Sequence, residues 1–570
     1  MRRLNNSSSK LVNAAFGGAN WGRGSECGSC SGTFNNAGRT AAGRLAMFSK
    51  LVLSFAVILM LACTAHASDL YLAQGSAGGG SGTDCANART VSGTSWSAGN
   101  TYHLCGTITS PVSPSASGNS GAPITILFES NATISMPAIP GDSGSGGGGI
   151  NLGGLSYINV DGGTNGSIQS TANGTKLSNH INSIGIGVDS GSHLNISNVT
   201  FKNLFVNVCC SDGSEFGQGI YGQGSLNAIH FFNNTCIQEF ACVQLQATGS
   251  SSDLEAYNNS LPSQDVGWGI VIVMGGGGFQ VNGIYIHDND ITPGSGTGIN
   301  SNSATFVGTN SWCTGNSDLT HLDPIHTWSQ GSSPDGIYTD YIYNNHVHGY
   351  FCVNQGTANS TTAIFWEAHV SGGNAPNRAT VFNNLIEMTG GHPGDGAIYP
   401  QTGTDGDIYN NTIDCTGADS GSLATEFGGG NVTYYNNIVI GCNEATLFDG
   451  GTYAGDYNDW FNIGSGGWGQ QSLAQWRSSR GGDAHSITSD PKLNSDHTLQ
   501  AGSPAIGVGS DLTSKGITQL DSSKPVNIGL GNLSAAGVAR SSSAPWDLGA
   551  YAFGGTRPNP PTNVLVLSVQ

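Results

Sequence analysis

A pair of amide-bearing residues recurs along this chain at a spacing that restricts how it can fold. Taking the second member as the anchor, the positions are Asn234, Asn259, Asn289, Asn345, Asn384, Asn411 and Asn437. The residue before each anchor is Asn or Asp. Three residues before stand Phe231, Ala256, Ile286, Ile342, Val381, Ile408 and Tyr434, and two after stand Cys236, Leu261, Ile291, Val347, Ile386, Ile413 and Val439. All are apolar. The anchors are 25, 30, 56, 39, 27 and 26 residues apart, so 56 reads as two turns of a repeat and 39 as one turn with an inserted loop. Asn is a poor strand residue, but it tolerates the left-handed region better than any residue except Gly. The pairs are therefore read as corners between short strands. Stacked coils would align the amides in a hydrogen-bonded ladder and send the flanking apolar residues into a shared core.

This pattern resembles the right-handed parallel β-helix of the pectate-lyase-like superfamily. "LSYINVDGGTNGSI" (155–168) and "HLNISNVTFKNL" (193–204) look like earlier coils. "SDPKLNSDHTLQAGSPAIGVGSDL" (489–512) and "DLGAYAFGG" (547–555) are similar to segments that close many bacterial β-helix repeat proteins. The resemblance implies an all-β solenoid and supplies no reaction by itself. The expected organisation is an N-terminal cap region over 68–150, the β-helix over 151–465, a C-terminal capping region over 466–556, and a linker with a terminal strand over 557–570.

"MFSKLVLSFAVILMLACTAHAS" reads as a secretory signal from Met47 to Ala67, preceded by residues 1–46 as a mis-chosen start or an unstructured extension. A secreted or cell-surface protein is expected. The remaining chain holds 11 basic and 36 acidic residues, an excess that argues against nucleic acid as a partner. Its ten cysteines favour disulfides over zinc, with Cys85–Cys105 the best local pair. A monomer is expected.

The densest polar constellation is "THLDPIHTWSQGSSPDG" (320–336). His321, Asp323 and His326 supply imidazoles beside a carboxylate, an acid/base unit, and Trp328 offers a sugar platform. "AIFWEAHV" (363–370) adds Glu367 and Trp366, while "TGGHPGDGAIYP" (389–400) adds His392, Asp395 and Tyr399. Coils stack about 4.8 Å apart, so carboxylates on successive coils match the roughly 5–10 Å separation that sugar hydrolysis uses. β-Eliminating lyases of this fold use Lys or Arg as base, and Arg378 is the one cation expected to reach the column. Calcium is the metal to expect if any is bound. The functional expectation is a polysaccharide-binding and polysaccharide-cleaving enzyme, hydrolase or lyase, with a groove along the solenoid. The alternative is a non-catalytic, adhesin-like surface protein. Convergence of the named side chains would separate the two.

Overall fold

The computed structural model describes residues 67–555, apart from 142–146, 174–177, 180, 205–216, 238–240, 265–267, 275–280, 294–322, 330–337, 352–361, 369–376, 402–403, 513–539 and 541–544. The segment expected to be a signal, His321 and the terminal strand lie outside these residues. No described helix is long and apolar enough to cross a membrane.

The chain is a right-handed parallel β-helix. Every pairing between its strands is parallel and joins residues one coil apart, giving a 22-stranded and a 12-stranded sheet among the described residues. Each coil visits three faces. On the first lie Ala241–Ala247, Trp268–Met274, Asp323–Ser329, Ile364–Ala368 and Ile398–Pro400. The second carries Ser251–Tyr257, Val281–His287, Tyr338–Tyr343, Asn377–Phe382 and Asp405–Tyr409. The third carries Ser260–Gln264, Asp290–Pro293, His346–Phe351, Leu385–Gly391 and Thr412–Asp414.

The amide pairs form the corner between the second and third faces, with the work divided between their members. The first member takes the left-handed conformation, with φ between 51° and 60° at Asn233, Asn258, Asp288, Asn344, Asn383, Asn410 and Asn436. The second points inward and builds the ladder. The Nδ2 of Asn384, for example, donates to Asn411 Oδ1 at 2.9 Å and to the Ile342 carbonyl at 3.0 Å. Its Oδ1 accepts from the backbone N and the Nδ2 of Asn345, both at 3.0 Å. Every polar atom of the amide is thus satisfied, which is the condition for burying it. The flanking apolar positions are all at most 3% exposed, from Phe231 to Val439. Replacing Asn384 with Ala should cost about 2–4 kcal/mol, because it leaves the neighbours' buried groups unpaired; chemical denaturation of the variant measures this.

Two readings of the repeat need correction. The 56-residue interval is one turn, since Asn289 donates directly to Asn345 Oδ1 through its backbone N (3.1 Å) and its Nδ2 (2.9 Å). An eighth rung, Asn458, also extends the ladder, accepting from Asn437 Nδ2 at 3.2 Å. Tyr457, not Asn or Asp, is its left-handed partner, at φ 59°, so the pair pattern does not reveal it.

The winding also begins ahead of 151. Asp69–Ala73, Thr101–Leu104 and Ile124–Phe128 pair in sequence with one another and then with Ser156–Asp161, so the region expected as a cap contributes rungs of its own. Beyond the last rungs, the helix Leu473–Arg480 starts with a Ser472 capping box and lays Trp476 against Phe448 and Tyr453. The carboxylate of Asp483, fully buried, ends the ladder. It accepts from Asn458 Nδ2, Trp460 Nε1 and Ser486 Oγ on one oxygen and from Tyr453 OH and Trp476 Nε1 on the other. Disulfides join Cys85–Cys105, as expected, and also Cys236–Cys242 and Cys415–Cys442.

Candidate functional site

Strand alternation decides which side chains of the first face leave the core. Ile325, Ile364 and Ile398 align and point inward, each fully buried. The next residue on each strand points outward, so register stacks Val271, His326, Phe365 and Tyr399 in one column. The pairing of Ile398 with Thr425 carries that column on to Glu426. Two residues further along, a second outward column holds Val273, Trp328 and Glu367.

At the centre His326 lies between two carboxylates, with Nδ1 3.4 Å from Asp323 Oδ2 and Nε2 3.4 Å from Glu367 Oε1. Asp323 is fully buried, and its Oδ1 accepts the Thr362 N–H at 2.9 Å. The imidazole is walled by aromatic rings: Trp328 at 4.9 Å, Trp268 at 5.9 Å and Phe365 at 4.5 Å between centroids. Phe365 stacks on Tyr399 at 5.2 Å. Trp268 and Trp328 remain partly exposed and form the margin that a ligand would meet first.

A second group of acids adjoins Tyr399. Burial pushes the Glu426 carboxyl up to about 9, helped by the charges of Asp395 and Asp449 and a hydrogen bond with Asp449. Burial, followed by the charges of Glu426, Asp395, Asp449 and Glu367, also raises the Tyr399 phenol well above its ordinary value. The face therefore presents a carboxyl that is neutral at pH 7 close to other carboxylates. Such a pairing of environments is how acid and base roles become separated within one site.

Of the expected site residues, Asp323, His326, Glu367, Trp328, Tyr399 and Asp395 gather here. Three others do not. Trp366 shares the parity of Ile364 and is fully buried in the core, where its Nε1 donates to the Asp405 carbonyl at 2.9 Å; it cannot be a sugar platform. Arg378 stands on the second face, where its Nε donates to Asp407 Oδ2 at 2.8 Å and its guanidinium lies 3.7 Å from Asp405. His392 follows the third-face strand Leu385–Gly391 and packs beside Gly421; burial lowers its pKa despite the nearby Asp419. Arg378→Ala should therefore leave any activity of the first face within about twofold. Its stability cost should be no more than about 1 kcal/mol, because a half-exposed ion pair is solvent-screened; parallel activity and denaturation measurements check both.

Glu426 is missing from the sequence-based set, although a signal for it exists. It lies 27 residues after Tyr399, one period of the repeat, and so falls on the same outward column. Among the described residues, the set of three metal-ligating side chains within mutual reach stands elsewhere, on the third face: Asp290, His346 and His348. It does not have the all-oxygen character expected for calcium.

No family model and no curated protein matches the chain. Among solved structures it is similar to a GH136 lacto-N-biosidase from Eubacterium ramulus, with a TM-score of 0.40 and 12% identity over 73% of this chain and 67% of that one. It is also similar to the pectate lyase Pel9A, with a TM-score of 0.38 and 13% identity over 86% of this chain and 98% of that one. No residue correspondence is carried over from either.

Proposed function

We propose that the protein binds a polysaccharide along the first face and hydrolyses it there. The observation that carries this reading is convergence: the His326 ring nitrogens lie 3.4 Å from Asp323 and 3.4 Å from Glu367, beside the partly exposed Trp268 and Trp328. A contact surface for adhesion alone has no use for a histidine clasped between buried carboxylates at the foot of an aromatic wall. The aromatic faces cover the apolar C–H surface of a sugar ring. Glu426, protonated at neutral pH, donates its proton to the departing glycosidic oxygen. Glu367 supplies the second carboxyl group, acting on water or on the anomeric carbon, with the His326 imidazole beside it. Engagement of Arg378 by Asp407 on another face removes the cationic base expected for elimination, which favours hydrolysis.

A polysaccharide screen that records reducing ends and ultraviolet-absorbing unsaturated products tests the reading. The expected result is new reducing ends without ultraviolet absorbance, abolished by Glu367→Gln. Unsaturated products, or activity indifferent to Glu367→Gln, would sink it.

A further inference from the structure

The strand that follows the Asn344–Asn345 corner begins His346-Val347-His348. Alternation sends Val347 into the core, where it is fully buried, and turns both histidines outward. Asp290 on the preceding coil is in direct register with His346. The backbone at both positions is fixed by the ladder, since each strand starts immediately after a buried rung, Asn289 or Asn345. Three side chains able to ligate a metal are thus presented by rigid elements rather than by loops, which is the setting that holds a coordination geometry.

The atoms converge on one point. Asp290 Oδ1 lies 2.8 Å from His346 Nδ1 and 3.0 Å from His348 Nε2. The two imidazoles are stacked, with centroids 3.8 Å apart, and Thr292 Oγ1 lies 3.4 Å from His348 Nε2. All three ligand atoms fall within 4.8 Å of one another. An ion bound at about 2.0–2.1 Å from each ligand keeps tetrahedral neighbours about 3.3 Å apart, so the ion is admitted when the carboxylate moves outward and one imidazole tilts out of the stack to aim its in-plane lone pair at it. On the next coil Glu387 Oε2 faces the other nitrogen of His346, Nε2, at 3.5 Å. A carboxylate behind a histidine is the arrangement that orients a metal-binding ring and raises its basicity.

We propose that Asp290, His346 and His348 form a mononuclear site for a zinc-type divalent cation, with Glu387 as the positioning residue for His346. Two imidazoles and one carboxylate suit zinc or a neighbouring transition ion far better than calcium. Side-chain exposures of 29% for His348 and 19% for Asp290 leave the site accessible from solvent, so a fourth position is open to water. The site stands on a different face from the aromatic strip, and its existence does not depend on the proposed hydrolysis.

The test uses the full untagged chain, stripped with EDTA and titrated calorimetrically with zinc chloride and, separately, calcium chloride. The expected result is one zinc ion per chain, a raised Tm with zinc, and a visible absorption band on substitution with cobalt. His348→Ala should weaken zinc binding at least 100-fold and remove the cobalt band, and Glu387→Gln should weaken binding about 10–100-fold. Asp290→Asn keeps the shape of the site while removing its charge, and should also weaken binding strongly if His348→Ala fails to fold. Absence of zinc binding, preference for calcium, or an affinity unchanged in the variants would show that the cluster is only a hydrogen-bonded stack and overturn the proposal.

Discussion

Glu426→Gln is expected to lower hydrolytic turnover by at least about 10³-fold while making the protein more stable in alkali. The first effect follows from removing the proposed proton donor, a loss at the larger end of what general acid catalysis contributes. The second follows from linkage. The folded chain holds this proton up to about pH 9, whereas an exposed Glu releases it near 4.5. Between these values the folded state binds more protons than the unfolded state, so stability falls as pH rises. The contribution is complete below about 4.5, declines through the window and is gone above about 9. Glutamine keeps the neutral shape and does not titrate. The Tm of the variant should therefore draw ahead of the wild type progressively from pH 5 to pH 9. A constant Tm difference across that range would mean that Glu426 does not hold its proton in the folded protein.

The largest loss of stability is expected at Asp483. Its carboxylate receives five donors: Asn458 Nδ2 at 3.0 Å, Trp460 Nε1 at 3.2 Å, Ser486 Oγ at 2.6 Å, Tyr453 OH at 2.7 Å and Trp476 Nε1 at 3.0 Å. Asp483→Ala strands all of them inside the protein, and each unsatisfied donor costs about 1–3 kcal/mol. A loss above about 4 kcal/mol is expected, which places the change among the rare severe substitutions. Asp483→Asn should be milder, because it keeps one acceptor oxygen but turns an amide N–H₂ toward indole and phenol donors. Urea unfolding followed by tryptophan fluorescence reads both, since Trp460 and Trp476 touch the substituted group. A loss below about 1 kcal/mol for Asp483→Ala would show that this carboxylate is not what terminates the ladder.

The winding was legible in the sequence because one physical requirement recurs at every coil. A left-handed corner favours Asn or Asp, a buried rung needs an amide that can both donate and accept, and the core needs apolar residues at fixed offsets. Where the requirement is met by another residue, as at Tyr457, the pattern falls silent. Loop length is not constrained by this requirement, which is why the 56-residue interval misleads. The placement of the candidate site's side chains was partly legible for a related reason. Parity along a strand identifies Glu367 as outward and Trp366 as inward, since Ile364 shares the latter's phase. Register between coils was the weaker link. Arg378 is close in sequence to Glu367 yet belongs to another face, and Glu426 is remote in sequence yet continues the Tyr399 column. Neither fact can be read without knowing where each coil turns. His346 and His348 form no part of the sequence-based set, and the carboxylate beside them comes from across the 56-residue interval.

The corner amides also bear on how this architecture tolerates change. Rungs separated by 25, 30, 39 and 56 residues make the same contacts, with amide-to-amide distances of 3.2, 3.0, 3.0 and 2.9 Å. The closing geometry is indifferent to how much polypeptide is paid out between one rung and the next. Excursions can therefore lengthen, shorten or be exchanged without disturbing the stack beneath them. This gives the molecule a scaffold on which new recognition surfaces can be tried while the thread that holds the spine together stays unaltered.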